Sequence, residues 1–286
     1  MTHAPIAIIR DLKALRTQIA HWRSQGQKIA LVPTMGALHD GHISLGRLAR
    51  ENAGKVVYSI FVNPTQFAPH EDLDRYPRDE AGDAAKLSAS GFDLIYAPDT
   101  KDVYGENPLT KVIVSDITQD LEGAIRPHFF GGVATIVTKL FTRVAPDVAV
   151  FGEKDYQQLL VVRQLVRDLD LPISIIGAPT AREDDGLAQS SRNAYLDAAQ
   201  RRVAGMLNQV MKQAIESVQQ GQAIDPVLAR SIDDLLKLGF GAVDYFTLRD
   251  AQSLVPLSHL DRPARLLAAV RLGPVRLIDN MAVSPK

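Results

Sequence analysis

The stretch KIALVPTMGALHDGHISLGRLAREN, residues 28–52, decides the fold. Its opening, KIALVP, is a short apolar run of the kind that forms a buried parallel strand. From about Gly41 to Asn52 the pattern becomes helical. Between the two lie Gly36, Gly41 and a pair of histidines, His39 and His42, three residues apart. A strand running through such a turn into a helix is the first half of a strand–helix–strand unit.

The same alternation spreads outward. RDLKALRTQIAHWRSQG precedes it as an amphipathic helix, with Leu12, Leu15, Ile19 and Trp22 at helical spacing and Gly26 at its end. KVVYSIFV follows as a second apolar strand, DEAGDAAKLSASG as a helix and FDLIYAP as a third strand. After an irregular middle come KVIVSD as a strand, GGVATIVTKLFTRV as a helix, DVAVFG as a strand, YQQLLVVRQLVRDL as a helix and PISIIGAP as a strand. Repeated units of this kind predict right-handed crossovers and a doubly wound parallel sheet.

Near Pro179 the pattern changes. Asp197 to Gln220 reads as one long helix and DPVLARSIDDLLKLG as another, with Asp225 as its N-cap and Pro226 at its first position. VDYFTLRD and ARLLAAVRLGPVRLID read as strands, the latter pair turning at Gly273–Pro274. Helices followed by neighbouring strands predict a smaller α+β domain, giving domains of residues 1–180 and 181–286.

The chain has 286 residues, 46% of them hydrophobic, enough for one or two cores. Its 32 basic and 33 acidic side chains leave a formal charge of −1, which offers no pull toward nucleic acid or anionic membrane. There is no cysteine, which excludes disulfides, thiolate nucleophiles and Cys-ligated metals. MTHAPIAIIRDLKALR is too short in apolar length for a signal peptide, and no run approaches the ~20 apolar residues that span a bilayer. A cytoplasmic protein is expected.

Four polar segments fall at predicted strand ends. His39 and His42 have three readings: a metal site, a phosphate site, or a polar turn. A helix N-terminus at the carboxyl end of a strand suits phosphate and disfavours a cation, and no third ligand is evident. FGEKDYQQ, residues 151–158, opens another helix; there Lys154 suits phosphate, Asp155 a cap or a ribose hydroxyl, and Gln158 faces with Lys154. REDDGLAQSSRN, residues 182–193, brings together Ser190, Ser191 and Arg192, hydroxyl and guanidinium donors that phosphates favour, or else is a linker. FVNPTQF, residues 61–67, makes a turn from which Gln66 presents an amide to a pocket or stabilises the turn itself. Each has an ordinary structural explanation alone; their common sheet edge favours one anion-binding cleft. Gly-x-Ser-x-Gly, P-loop and dinucleotide fingerprints are absent.

PTMGALHDGH, FVNPTQF, EDLDRYPR, LEGAIRPHFFGGVATIVTKLF, FGEKDYQQL, DGLAQSSRNAYL and RLIDN together resemble, in order and over nearly the whole chain, the motifs of the pantoate–β-alanine ligases. HDGH also resembles the H-x-G-H signature of a wider nucleotidyltransferase superfamily. The resemblance implies a Rossmann-like amino-terminal domain that binds ATP and pantoate, a carboxyl-terminal lid, a homodimer, and Mg-ATP as co-substrate. It implies that pantoate attacks the α-phosphorus to form an acyl adenylate, which β-alanine then converts to an amide with release of AMP. By the same resemblance His39 and His42 contact the phosphates, with His42 in the proton-donor position, and Lys154, Ser190 and Arg192 hold the triphosphate. His39, His42, Lys154 and Arg192 are thus the catalytic candidates. Met35, Gly36, Ala37, Leu38, Asp40, Gly41, Gly152, Glu153, Asp155, Ala181, Gln189 and Ser191 complete the expected ATP site. Gly41 and Asp155 match contacts to the nucleoside, and the backbone at Ala181 an adenine contact. Met35, Gln66 and Gln158 match the pantoate pocket. No protein side chain is assigned to a metal. Two positions depart from the family pattern: Thr65 stands where Met is frequent, and Gln189 where Met or Leu is usual. The competing expectations are another H-x-G-H nucleotidyltransferase that leaves the nucleotide on its product, an aminoacyl-tRNA synthetase, which is disfavoured by length and charge, and a regulatory nucleotide-binding protein.

Overall fold

The structure, a computed structural model, describes residues 5–69 and 71–285. The first four residues of the amino-terminal stretch read above therefore lie outside the described residues. The chain divides into two compact units, Met1–Glu153 with Gln157–Pro179, and Lys154–Tyr156 with Thr180–Lys286.

In the first unit the elements run β1 (Ala7–Ile9), α1 (Leu12–Ser24), β2 (Ile29–Thr34), α2 (Asp40–Asn52), β3 (Lys55–Ile60), α3 (Glu80–Ala89), β4 (Leu94–Tyr96), α4 (Thr100–Tyr104), α5 (Glu122–Ile125), α6 (Phe129–Val144), β5 (Val148–Gly152), α7 (Tyr156–Asp168) and β6 (Ser174–Ala178). Tyr156, the first residue of α7, belongs by its contacts to the second unit. The described strands pair in the order β1-β4-β3-β2-β5-β6, all parallel, so the predicted doubly wound sheet is present. One apolar cluster joins α1, α6 and α7 to one face of the sheet, through Leu15, Phe141 and Leu159. A second joins α2 and α3 to the other through Ile43, Ala49 and Leu87. Burial on both faces explains why the strands read as apolar runs rather than as alternating patterns.

The chain leaves β2 toward β3 on one side and later returns to β5 on the other, so strand order reverses between β2 and β5. Their pairing covers Ala30–Leu31 only, and Pro33, which has no N–H, follows. A crevice outside the carboxyl ends of strands at such a reversal is where open α/β sheets bind ligands.

In the second unit α8 (Ala198–Ala204), α9 (Met206–Gln219) and α10 (Ile224–Lys237) precede an antiparallel sheet of β7 (Ala242–Asp250), β8 (Ala264–Leu272) and β9 (Val275–Val283). The β8–β9 hairpin turns at Gly273, whose φ of 57° suits glycine.

Several local expectations need correction. KVIVSD forms no strand: Val112 N–H is bonded to Thr135 Oγ1 on α6, and Ile113 is 72% exposed. The single long helix from Asp197 is two helices meeting at Gly205, where an added Cβ would strike the Asp185 carboxylate. Asp197 is the N-cap of the first, accepting from Ala199 and Gln200 N–H. In α10 the N-cap is Ala223, which places Asp225 and Pro226 inside the first turn, where neither needs an intrahelical N–H partner. The edge strand β1 was not foreseen; three residues beside a polar helix start carry too little periodicity to read.

Candidate active site

The residues after β2 form a strained, tightly gripped turn. Gly36 has φ +84° and Ala37 +51°, the left-handed region that costs a non-glycine residue about 1–2 kcal/mol. What holds Ala37 there is Asp83 on α3. Its Oδ2 accepts from Ala37 N–H at 2.9 Å and its Oδ1 from Leu38 N–H at 2.7 Å. Asp83 is 1% exposed, and burial raises its pKa against the pull of these two N–H groups and of Lys86. Lys86, one turn further on, donates to Leu38 C=O at 2.6 Å. One helix thus holds both polar ends of Leu38. The sequence reading missed Asp83 and Lys86; the only signal was a lone Asp–Lys pair, three apart, among the small residues of DEAGDAAKL.

The turn delivers His39 as the N-cap of α2, in extended conformation, and Asp40, Gly41 and His42 as its first turn. His39 N–H donates to His42 Nδ1 at 3.3 Å, and the two rings lie 4.1 Å apart. An Nδ1 that accepts leaves the proton of a neutral imidazole on Nε2, so His42 is set up as a donor through Nε2. Its carbonyl accepts from Tyr58 O–H at 2.9 Å; that phenol, fully buried beneath α2, has its pKa pushed up by desolvation and stays a donor. Gly46 permits this approach, since a Cβ there would collide with the Tyr58 hydroxyl.

Beyond β3, the neighbouring strand, Asn63 is fully buried and caps a 3-10 turn, Pro64–Gln66. Asn63 Nδ2 donates to Gln66 Oε1 at 2.9 Å and to Gly132 C=O at 3.3 Å. Gly132, in the first turn of α6, leaves the room this needs: a Cβ would strike Thr65 C=O. Arg126 closes the turn from the other side, donating to both Glu71 oxygens at 2.8 Å and to Gln66 C=O at 3.0 Å, with its guanidinium 4.0 Å from the Phe129 ring. Two motifs of the sequence, EDLDRYPR and LEGAIRPHFFGG, therefore meet to brace a third. Burial opposes ionisation of Glu71, yet Arg126 outweighs it and its pKa is lowered.

Gly152 ends β5, beside β2, and Glu153–Asp155 forms a short 3-10 turn leading into α7. Gln158 is half-buried; its neighbour Gln157 is buried and ties the 117–122 segment, donating to Ile117 and Asp120 C=O and accepting from Glu122 N–H. Thus, within the first unit, Met35–His42, Gln66 and Gly152–Glu153 emerge at the carboxyl ends of three adjacent strands, β2, β3 and β5.

Lys154 and Asp155 belong to the second unit, with Nζ and Oδ1 3.6 Å apart. The backbone there is fixed by β9: Asn280 Nδ2 donates to Lys154 C=O at 2.8 Å, and its Oδ1 accepts from Arg265 Nε at 2.6 Å. Arg265 also lies 4.0 Å over the Tyr156 ring. The adjacent Asp279, 4% exposed, takes a bidentate pair from Arg182, which in turn bonds Gly186 C=O. Arg182 opens a hairpin closed by Gln189 N–H on Ala181 C=O. Ser190 Oγ then accepts from Arg192 N–H and caps the 3-10 turn Ser191–Tyr195. RLIDN is in this way the anchor of both second-unit candidate segments, a role its sequence did not announce. Gln189 closes this hairpin through its backbone N–H.

Among the described residues no group of three His, Asp or Glu side chains could hold a metal ion. No helix is long and apolar enough to cross a membrane.

Comparison with known proteins agrees over nearly the full length. Residues 7–282 match the family described as pantoate-beta-alanine ligase. The pantothenate synthetase of Paramagnetospirillum magneticum is 52% identical over 280 residues, 98% of this chain and 99% of that protein. That of Caulobacter vibrioides is 53% identical over 279 residues, 96% of this chain and 98% of the relative. The crystal structure of pantothenate synthetase from Thermus thermophilus superposes with a TM-score of 0.92 at 43% identity, covering 98% of this chain and all of that one. Pantoate-beta-alanine ligase from Francisella tularensis, solved in complex with beta-gamma ATP and beta-alanine, gives 0.83 at 34% identity, covering 96% and 97% of the two chains. The chain belongs to the pantoate–β-alanine ligase family.

Proposed function

We propose that the segments described above divide between them the ATP-dependent condensation of pantoate with β-alanine, the activity of the family to which the chain belongs. The observation that carries the assignment is the amino end of α2, standing at the strand-order reversal with His39 as its N-cap and His42 in its first turn. The positive end of the helix dipole attracts phosphate there.

In the first step a carboxylate oxygen of (R)-pantoate attacks the α-phosphorus of Mg-ATP. The new P–O bond forms as the bond to pyrophosphate breaks. Charge shifts onto phosphate oxygens, and His42, donating through Nε2, stabilises it together with His39, Lys154 and Arg192. Ser190 and Ser191 add hydroxyl donors. The main chain of Met35–Gly41 and Gly152–Asp155 lines the nucleotide, and Ala181 and Gln189 contact the base side. Met35, Gln66 and Gln158 hold pantoate. In the second step the amine of β-alanine attacks the acyl carbon, the C–O bond to AMP breaks, and the nitrogen loses a proton. Mg2+ enters as part of the nucleotide substrate. This reading supports residues 181–286 as a lid over the hydrolysable adenylate, in the cytoplasm, and a pairing of two copies; Leu109 and Ile113, 94% and 72% exposed on a strandless segment, suit such a contact.

The test is to incubate the purified protein with Mg-ATP and (R)-pantoate, with and without β-alanine. Pyrophosphate release from pantoate alone, followed by AMP and pantothenate only on adding β-alanine, is expected. AMP retained on the product would mean a different transferase.

A further inference from the structure

Gln66 is 8% exposed, and its side chain is only half used. Its Oε1 accepts from Asn63 Nδ2 at 2.9 Å, and no contact engages its Nε2 among the described residues. Which end of each amide is oxygen is settled by what surrounds Asn63. Three donors converge on Asn63 Oδ1: Tyr104 O–H at 2.7 Å, Thr65 O–H at 2.9 Å and Thr65 N–H at 3.3 Å. An amide nitrogen could accept none of them. Asn63 therefore presents its nitrogen to Gln66, which must answer with its oxygen, and Gln66 is left displaying two N–H donors from a buried position.

The two hydroxyls also touch each other at 3.2 Å. Tyr104 comes from α4, outside every segment singled out in the sequence, and burial raises its pKa despite the opposing hydrogen bonds, so that it remains a donor through neutral pH. The Thr65 hydroxyl reaches both Asn63 Oδ1 and the Tyr104 hydroxyl.

We propose that Thr65 and Tyr104 are positioning residues for pantoate: their hydroxyls lock the Asn63 amide, which turns the Gln66 amide so that it donates to an oxygen of pantoate. The proposal rests on the pantoate-binding reading of Gln66 and adds its polarity and the residues that set it. An N–H donor suits a carboxylate or hydroxyl oxygen; an amide turned the other way would present an acceptor to a carboxylate and repel it.

Steady-state kinetics with each substrate varied in turn test this on Tyr104→Phe, Thr65→Val and Thr65→Ser in the full chain. Loss of one neutral hydrogen bond in the relay is expected to raise the pantoate KM about fivefold in Tyr104→Phe and Thr65→Val. The KM values for ATP and β-alanine are expected to move by less than about twofold. Thr65→Ser keeps the hydroxyl and should recover the parent pantoate KM. The double variant Thr65→Val/Tyr104→Phe should show less than the product of the single effects, because both bonds serve one oxygen. An unchanged pantoate KM in both single variants, or equal rises for all three substrates, overturns the assignment. If Tyr104→Phe fails to fold, the turn residue Thr65 decides alone, through Val against Ser. Absence of any pantoate-dependent turnover in the parent protein would instead defeat the ligase reading, and this assignment with it.

Discussion

Replacing Asp83 by Asn tests what holds the nucleotide turn. The change is nearly isosteric, so packing around α3 is kept. It removes one of two acceptors, because an amide offers a single oxygen where the carboxylate serves both Ala37 N–H and Leu38 N–H, at 2.9 and 2.7 Å. The amide nitrogen then faces a backbone N–H, leaving a buried donor without a partner. A hydrogen bond to a charged group contributes about 1.5–3 kcal/mol. Part of that returns, since burial has raised the Asp83 pKa and the ionised group was held at a cost. The net expectation is roughly 2 kcal/mol of lost stability. The catalytic effect should be larger. Ala37 sits at φ +51° under the pull of Asp83, and with the grip halved it relaxes toward negative φ, shifting His39 and His42. A displacement near 1 Å costs on the order of 100-fold in rate. The assay is pantoate-dependent exchange between ATP and labelled pyrophosphate, run beside denaturant unfolding. An Asp83→Asn protein with the parent's unfolding midpoint and an exchange rate within about threefold of it would refute the reasoning.

His42→Ala should abolish most adenylate formation while leaving unfolding little changed, because a half-buried first-turn residue adds little to the core; near-normal exchange in the folded variant would remove it from the mechanism. Asn280→Ala frees the Lys154 carbonyl and should raise the ATP KM roughly tenfold with the pantoate KM unmoved, read by initial rates; a fall in stability with unaltered ATP KM would make Asn280 merely structural. Glu71, with its pKa lowered, binds a proton less readily folded than unfolded, so its stabilising effect is complete above the ordinary glutamate range and is lost as pH falls through its lowered value. Acid titration of unfolding in Glu71→Gln should therefore show a shallower decline than the parent. Saturating ATP and pantoate should slow hydrogen exchange in residues 182–193, and unchanged exchange there would count against the lid.

The parallel sheet was legible because apolar strands and amphipathic helices have different periods, and the two alternate from Ile29 to Tyr96 and again from Phe129 to Ala178. The polar turns were legible as positions at strand ends. Their supports were not. Asp83, Tyr104, Arg126 and Asn280 lie 41 to 126 residues from Leu38, Asn63, Gln66 and Lys154, the residues they hold. No local pattern marks a partner that the fold alone brings near. KVIVSD failed for the opposite reason: three consecutive β-branched residues, Val112–Val114, have strand propensity, but a strand also needs a neighbour, and Val112 finds the Thr135 side chain instead.

The two braced turns differ in a way that their ligands explain. The Gln66 side chain is set by neutral groups, Asn63, Thr65 and Tyr104, and the charged pair braced against its backbone is matched, Arg126 binding both Glu71 oxygens. An unmatched charge there would act directly on a carboxylate substrate. Behind Ala37 and Leu38 stands an ionisable group, Asp83, where the expected ligand is a polyanion, and this needs a compensating feature. It has two. The two N–H groups take up the carboxylate, and Lys86 on the same helix binds Leu38 C=O beside it. The negative charge is thus spent on fixing φ at Ala37, and its field toward the turn is opposed by Lys86. Lys86→Gln would keep a donor for Leu38 C=O but leave that field unopposed. The expected result is a raised ATP KM whose excess over the parent shrinks as ionic strength rises, since salt screens charges that water can reach. A salt-independent ATP KM equal to the parent's would show that Lys86 serves only as a hydrogen-bond donor.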